Sequence, residues 1–160
     1  MESVFYYGRQ CPRQLACKQA ENNNAHGAET RFKAIERAKV FSVSLATDDM
    51  SEIVNFCGFV SGKDADKGER ISHSIGQKLE VPVIDVSPWI FECSLFRTIE
   101  QDGPKIFIGL IENFQADESV SPHGEMPADG NFYPAKIAPM VSCLRGYYKV
   151  GEKTGECGEP

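Results

Sequence analysis

Two long segments in the second half of the chain alternate apolar and polar residues. In residues 89–100 one side carries Trp89, Phe91, Cys93 and Leu95, and the other carries Glu92 and Ser94. In residues 105–114 one side carries Ile106, Ile108 and Leu110. This is the period of β-strands, and residues 101–104 (Gln-Asp-Gly-Pro) have turn chemistry. We therefore predict a long antiparallel hairpin. The reverse side is also apolar, at Ile90, Phe96, Phe107 and Ile111. Such two-sided strands indicate a curled sheet or barrel, or an interface with a second subunit.

Helical and extended patterns precede this hairpin. Helical spacing predicts a helix over about 29–39, and alternation predicts a strand over 40–46. A second helix is predicted after Thr47, with Gly58 as the left-handed residue that ends it. Residues 119–139 have the composition of a long surface loop, and residues 137–144 of a last short strand. Residues 10–24 are polar and favour a solvent-exposed arm.

Composition narrows the class of protein. The chain has 160 residues, 41% of them hydrophobic, which suits one globular domain. A net charge of −6 argues against a nucleic-acid partner. No apolar run approaches the ~20 residues that cross a bilayer, and residues 1–20 are too polar for a signal peptide. We expect a cytoplasmic protein without membrane contact.

The six cysteines do not have the spacing of metal ligands. None forms a Cys-x-x-Cys, and no histidine stands at ligand spacing from them: Cys11, Cys17, Cys57, Cys93, Cys143 and Cys157. Mostly buried thiols and no metal site are expected. A thiol-redox or metal protein is therefore the least favoured functional hypothesis.

Two short stretches carry candidate binding chemistry. Ser61-Gly62-Lys63-Asp64 combines a hydroxyl, a flexible backbone and a cation, which can hold an anion, although such a sequence is more often only an exposed turn. Tyr147 and Tyr148 lie beside glycines and a lysine. This pair is typical of surface packing, and it can also form a wall for a flat anionic ligand.

Five segments together carry a family resemblance. They are Phe41-Ser42-Val43-Ser44-Leu45, residues 55–64, Phe91-Glu92-Cys93, Ile106-Phe107-Ile108-Gly109 and residues 147–152. In this order and spacing the chain resembles flavin reductase-like proteins, and most closely the flavoredoxin branch. The resemblance implies a mainly β fold with short helices, an antiparallel split β-barrel that binds FMN. Such proteins form homodimers and bind the FMN noncovalently.

The resemblance also implies a function and a set of binding residues. It implies electron transfer between reduced nicotinamide, NAD(P)H, and flavin, or between flavin and a redox protein partner. A flavin supplies the redox chemistry, so no catalytic side chain of the protein is expected. The FMN-binding residues implied are Ser61, Gly62, Lys63 and Asp64, the pair Thr30 and Arg31 at the phosphate, and Tyr147 and Tyr148 near the ring system.

The N-terminal residues depart from the family pattern. Residues 1–28 lack the family's hydroxyl- and Asn-rich segment, and Pro104 stands where many members have histidine. We therefore divide the chain into an atypical arm, 1–28, a domain, 29–155, and a tail, 156–160, with a barrel incomplete at the N-terminus. This departure motivates the alternative hypothesis: a diverged, non-enzymatic dimeric interaction module without tight FMN binding.

Overall fold

The structure, a computed structural model, describes residues 2–5, 14–19, 33–60, 64–100, 105–118, 120 and 138–152. Its strands are β1 (Glu2–Phe5), β2 (Gln14–Gln19), β3 (Val40–Ser44), β4 (His73–Ile75), β5 (Pro82–Ile84), β6 (Trp89–Glu100), β7 (Lys105–Ala116), β8 (Met140–Cys143) and β9 (Gly146–Lys149). Residues 33–38 are helical and are called α1. A 3₁₀ turn (Asp48–Met50) leads into α2 (Ser51–Phe59), and α3 (Lys67–Arg70) is a single turn. The fold is mainly β with short helices, as predicted.

One antiparallel sheet forms the body of the molecule. Its strand order is β1-β2-β7-β6-β3, so among the described residues β1 and β3 are open edges and the sheet does not close. The predicted hairpin is confirmed, because β6 and β7 pair from Trp89↔Ala116 to Glu100↔Lys105. The register shifts between Glu92 and Cys93 and again between Leu95 and Arg97. Such irregularities bend a sheet, as a split barrel requires.

In the first core, the Phe41 ring on β3 reaches over β6 to the backbone of β7. Phe41, Phe91 and Cys93 are buried together on one side of the sheet. A Cβ at Gly109 would lie 2.6 Å from Phe41 Cζ and 2.9 Å from Cys93 Cβ. Because real Cβ atoms do not come so near, only glycine lets the Phe41 ring rest on the backbone of β7.

The opposite side of the sheet is covered by the β4–β5 hairpin. Val81 and Val83 pack there with Ile90 in a second buried cluster. The Ser42 hydroxyl on β3 donates to the carbonyl of Pro82, 2.6 Å away. This cover explains why β6 is apolar on both sides.

A buried carboxylate lies under the same hairpin. Glu92 is 0% exposed. Its side chain accepts hydrogen bonds from the backbone N–H groups of Gln77 (3.0 Å), Lys78 (3.1 Å) and Leu79 (2.6 Å) and from the side-chain amides of Asn113 (2.7 Å) and Gln115 (2.6 Å). Burial, the largest influence, would raise the pKa of Glu92, but the hydrogen bonds together lower it to about 2. Glu92 does lie on the side of β6 opposite Phe91 and Cys93, but its burial and its five hydrogen-bond donors were not predicted.

Two expectations need correction. Gly58 does not end α2 in a left-handed conformation, since the helix continues to Phe59 and Gly58 is an interior residue. Residues 10–24 are not simply a solvent-exposed arm, because residues 14–19 form β2 and pair with β7. Among the described residues, no helix has the length and apolar character needed to span a bilayer.

Candidate functional site

The β8–β9 hairpin docks on the segment that joins β3 to α2. The backbone N–H of Asp48 donates to the carbonyl of Ala138, and that of Met140 donates to the carbonyl of Ala46, both at 3.0 Å. The Lys149 ammonium pairs with the Asp48 carboxylate. This hydrogen bond lowers the pKa of Asp48 and raises that of Lys149, so both groups stay charged at neutral pH.

Tyr147 connects this hairpin to α2. Its hydroxyl donates to Asn55 Oδ1 across 3.1 Å, a contact between residues 92 positions apart. Tyr147 is half-buried, whereas Asn55 is exposed near the middle of α2. The contact therefore brings one of the two late tyrosines onto the helix that leads to Ser61.

The neighbouring ring of Tyr148 is held over a glycine. A Cβ at Gly146 would lie 3.1–3.3 Å from three atoms of the Tyr148 phenol ring and hydroxyl. Tyr148 is nevertheless 50% exposed. The Tyr148 ring is therefore open to solvent, on the face of the hairpin opposite to Tyr147 and Lys149.

Two cations of α3 contact the C-terminal half of α2. The Lys67 ammonium donates to the carbonyl of Cys57 at 2.6 Å, which satisfies a carbonyl near the helix end. The Arg70 guanidinium lies 4.8 Å from the centroid of the Phe56 ring, a cation–π contact. Asp66 caps α3 by accepting from the N–H of Gly68 at 2.8 Å. These contacts hold two positive charges against the C-terminal half of α2.

A family comparison decides the class of protein. The flavin reductase like domain matches residues 26–150, which is most of the chain. The chain belongs to the flavin reductase-like family. Membership supports a flavin-related oxidoreductase role and confirms the resemblance given above.

Solved structures share the fold of this flavin reductase-like chain. Flavoredoxin from Methanosarcina acetivorans superposes with a TM-score of 0.76 at 21% identity, over 99% of this chain and 78% of that one. A flavin reductase with a split-barrel domain from Shewanella frigidimarina gives 0.78 at 16% identity, over 99% and 76%. An FMN-binding protein from Thermus thermophilus gives 0.67 at 18% identity, over 97% and 77%. The predicted split-barrel architecture is therefore confirmed. No curated protein sequence matches the chain.

The predicted flavin-binding residues are only partly described. Ser61, Gly62, Lys63, Thr30 and Arg31 lie outside the described residues. Their roles stay predictions, as does the division of the chain into arm, domain and tail. Asp64 lies in an exposed turn before α3. Tyr147 and Tyr148 are consecutive residues of β9, so their side chains point to opposite faces of the hairpin. Tyr147 faces α2 and donates to Asn55, whereas the Tyr148 ring lies against Gly146.

Sequence reasoning missed three residues around α2: Asn55, Lys67 and Arg70. Asn55 and Lys67 stand at the two ends of the glycine-rich stretch that contains the candidate residues 61–64. The signal that could have found Lys67 is its place one residue after the Asp66 cap. Nothing local marks Asn55, because its partner is distant in sequence.

The described cysteines have different surroundings. Cys93 is buried, Cys57 is half-buried and Cys143 is exposed, and all three carry thiols and not disulfides. Among the described residues, no group of three or more histidine, cysteine or acidic side chains could hold a metal ion. The thiol-redox hypothesis gains no geometric support from these positions.

Proposed function

We propose that this protein binds FMN noncovalently and transfers electrons between reduced nicotinamide, the flavin and an acceptor. NAD(P)H is the proposed donor, and a redox protein is the proposed acceptor class. The bound flavin would supply the redox chemistry itself. The chain's own residues would bind it, orient it and exclude water from one of its sides.

The observation that carries this proposal is the Tyr147–Asn55 hydrogen bond. It attaches a late aromatic side chain to α2, the helix that leads into Ser61-Gly62-Lys63. Asn55 precedes Ser61 by only six residues along the chain. An aromatic ring and an anion-holding turn can therefore meet the two ends of one phosphorylated, flat molecule.

The described residues fit such a ligand. Tyr147, half-buried on the face of β9 that meets α2, offers a ring to a flat ring system, whereas Tyr148 points to the opposite face. Arg70 meets no carboxylate among the described residues, so its guanidinium can attract a phosphate. Flavin reductase-like membership and the likeness to an FMN-binding protein support the choice of FMN.

Titration with FMN tests the proposal. We expect the purified chain to be yellow and to release flavin on denaturation. Lys63→Ala should weaken FMN binding by about 1–3 kcal/mol, as expected for the loss of a charge-assisted hydrogen bond. Lys78→Ala is the matched control, because it removes an exposed lysine from the loop between β4 and β5.

Two results would contradict the proposal. A colourless protein that takes up no added FMN would favour the diverged, non-enzymatic interaction module instead. Equal loss of affinity in Lys63→Ala and Lys78→Ala would mean that lysine substitution acts nonspecifically.

NADH and NADPH are compared as electron donors by the rate of flavin reduction in the holoprotein.

We also propose that two copies of the chain form a homodimer. Several large apolar side chains are exposed on the single chain, among them Phe59, Phe96 and Leu144. Burial of such side chains favours association. Size-exclusion chromatography with light scattering measures the mass, and a monomer at every concentration would refute the dimer.

A further inference from the structure

We infer that Asn55 is a positioning residue, which fixes Tyr147 for contact with the ligand. The inference rests on the proposed flavin-binding function and adds to it a residue with a stated task. Asn55 acts through the tyrosine and need not touch the ligand.

The base of the β8–β9 hairpin is fixed without Asn55. Backbone hydrogen bonds at Ala46 and Asp48 and the Lys149 ion pair hold it to the segment before α2. Pairing of Tyr147 with Ser142 fixes the tyrosine backbone. These contacts fix the backbone at Tyr147 and do not by themselves set its side-chain torsions.

The hydrogen bond from Tyr147 to Asn55 Oδ1 supplies the missing constraint. It directs the phenol hydroxyl toward α2 and so selects one orientation of the ring. Because the hydroxyl already donates to Asn55, a ligand would meet the ring and not that proton. Removing either partner should therefore have the same effect, and removing both should add nothing.

A double-mutant cycle with FMN tests this inference in the full chain. Asn55→Ala and Tyr147→Phe should each weaken FMN binding about three- to tenfold, the range for one lost neutral hydrogen bond. The double variant should bind no more weakly than either single variant. Glu52→Ala, an exposed change on the same helix, is the control and should bind like the unmodified chain.

Two readouts distinguish a positioning role of Asn55 from a role in folding alone. The visible absorbance band of bound flavin should shift in Asn55→Ala at saturation, because the ring beside it has moved. Asn55→Asp retains an oxygen acceptor and should restore the band. Its titration is repeated with riboflavin, which lacks the phosphate, so that the added charge does not obscure the rescue.

A failure of the proposed function and a failure of the inference about Asn55 give different results. If the unmodified chain takes up no FMN, the proposed function fails and this inference fails with it. If the unmodified chain binds FMN and Asn55→Ala matches it in affinity and spectrum, only the inference is overturned. Independent, additive losses in the cycle would also overturn it, since they would mean that the two side chains do not act through one bond.

Discussion

Replacing Glu92 by glutamine should destabilise the fold more than its small structural change suggests. Glutamine has nearly the same shape, but one carboxylate oxygen becomes an NH₂ group. Oε1 of Glu92 accepts from Gln77 and from two side-chain amides, while Oε2 accepts from Lys78 and Leu79. Backbone donors thus face both oxygens, and backbone donors cannot reorient.

The loss of stability in Glu92→Gln is set by the more favourable of two orientations of the new side-chain amide. With its NH₂ group toward Lys78 and Leu79, the new glutamine would leave two backbone N–H groups unsatisfied. With the NH₂ group on the other side, the two amides can flip to accept, and only the N–H of Gln77 is left. One orphaned buried donor costs about 1–3 kcal/mol, and the remaining bonds lose their charge assistance. We expect a loss of about 2–4 kcal/mol.

Urea unfolding measures this loss. Trp89, the single tryptophan, packs edge-on against Phe91 and Phe114 and reports unfolding by fluorescence. Glu100→Gln is the matched control on the same strand. Glu100 is largely exposed and lies 3.9 Å from Lys105, so its change should cost less than about 0.5 kcal/mol.

The pH dependence gives an independent check. The pKa of Glu92 is about 2 in the folded chain, below its usual 4.5, so its contribution is complete above pH 4.5 and is lost as the pH falls toward 2. This fall in pKa limits the contribution to about 3 kcal/mol. The stability gap between the unmodified chain and Glu92→Gln should therefore narrow below pH 4.5. A constant gap, or equal stability of Glu92→Gln and Glu100→Gln, would refute the reasoning.

Two further predictions use thermal melting followed by circular dichroism. Gly109→Ala should destabilise the fold by about 1–3 kcal/mol, because its Cβ would overlap the Phe41 ring. Gly58→Ala should stabilise it by about 0.5–1 kcal/mol, because the backbone is helical and no atom lies within 4 Å of the new Cβ. The opposite order of stabilities would contradict the packing described. Leu144 and Arg145 both have positive φ (48° and 65°) in a two-residue hairpin turn, so Asn-Gly in their place should stabilise by about 1–2 kcal/mol. An unchanged melting temperature would mean that this turn is not strained.

The long hairpin was predictable because its signal is local. Alternation in residues 89–100 and 105–114 needs no knowledge of the rest of the chain. The same alternation could not reveal what covers each side of β6. The cover over Glu92 comes from the loop between β4 and β5, and its N–H donors carry no side-chain signature. The burial of a carboxylate held mainly by backbone N–H groups therefore cannot be predicted from the side-chain pattern.

The candidate site was predictable in part for the same reason. The two tyrosines are adjacent in sequence, so chemistry alone suggested an aromatic surface. Their contact with α2 depends on how a late hairpin docks, which no local pattern encodes. β2 was missed because its polar residues pair with β7 through backbone groups, and composition describes only side chains.

The stabilising carboxylate and the candidate site are built from separate contacts. The partners of Glu92 lie in the β4–β5 loop and on β7, while Asn55 contacts Tyr147 on β9. Since the two sets share no described residue, their effects on unfolding free energy should add within about 0.5 kcal/mol in a combined Glu92→Gln, Asn55→Ala variant. Coupling beyond that value would mean that α2 and the sheet respond as one unit. In that case a loss of ligand affinity at Asn55 could not be assigned to Tyr147 alone.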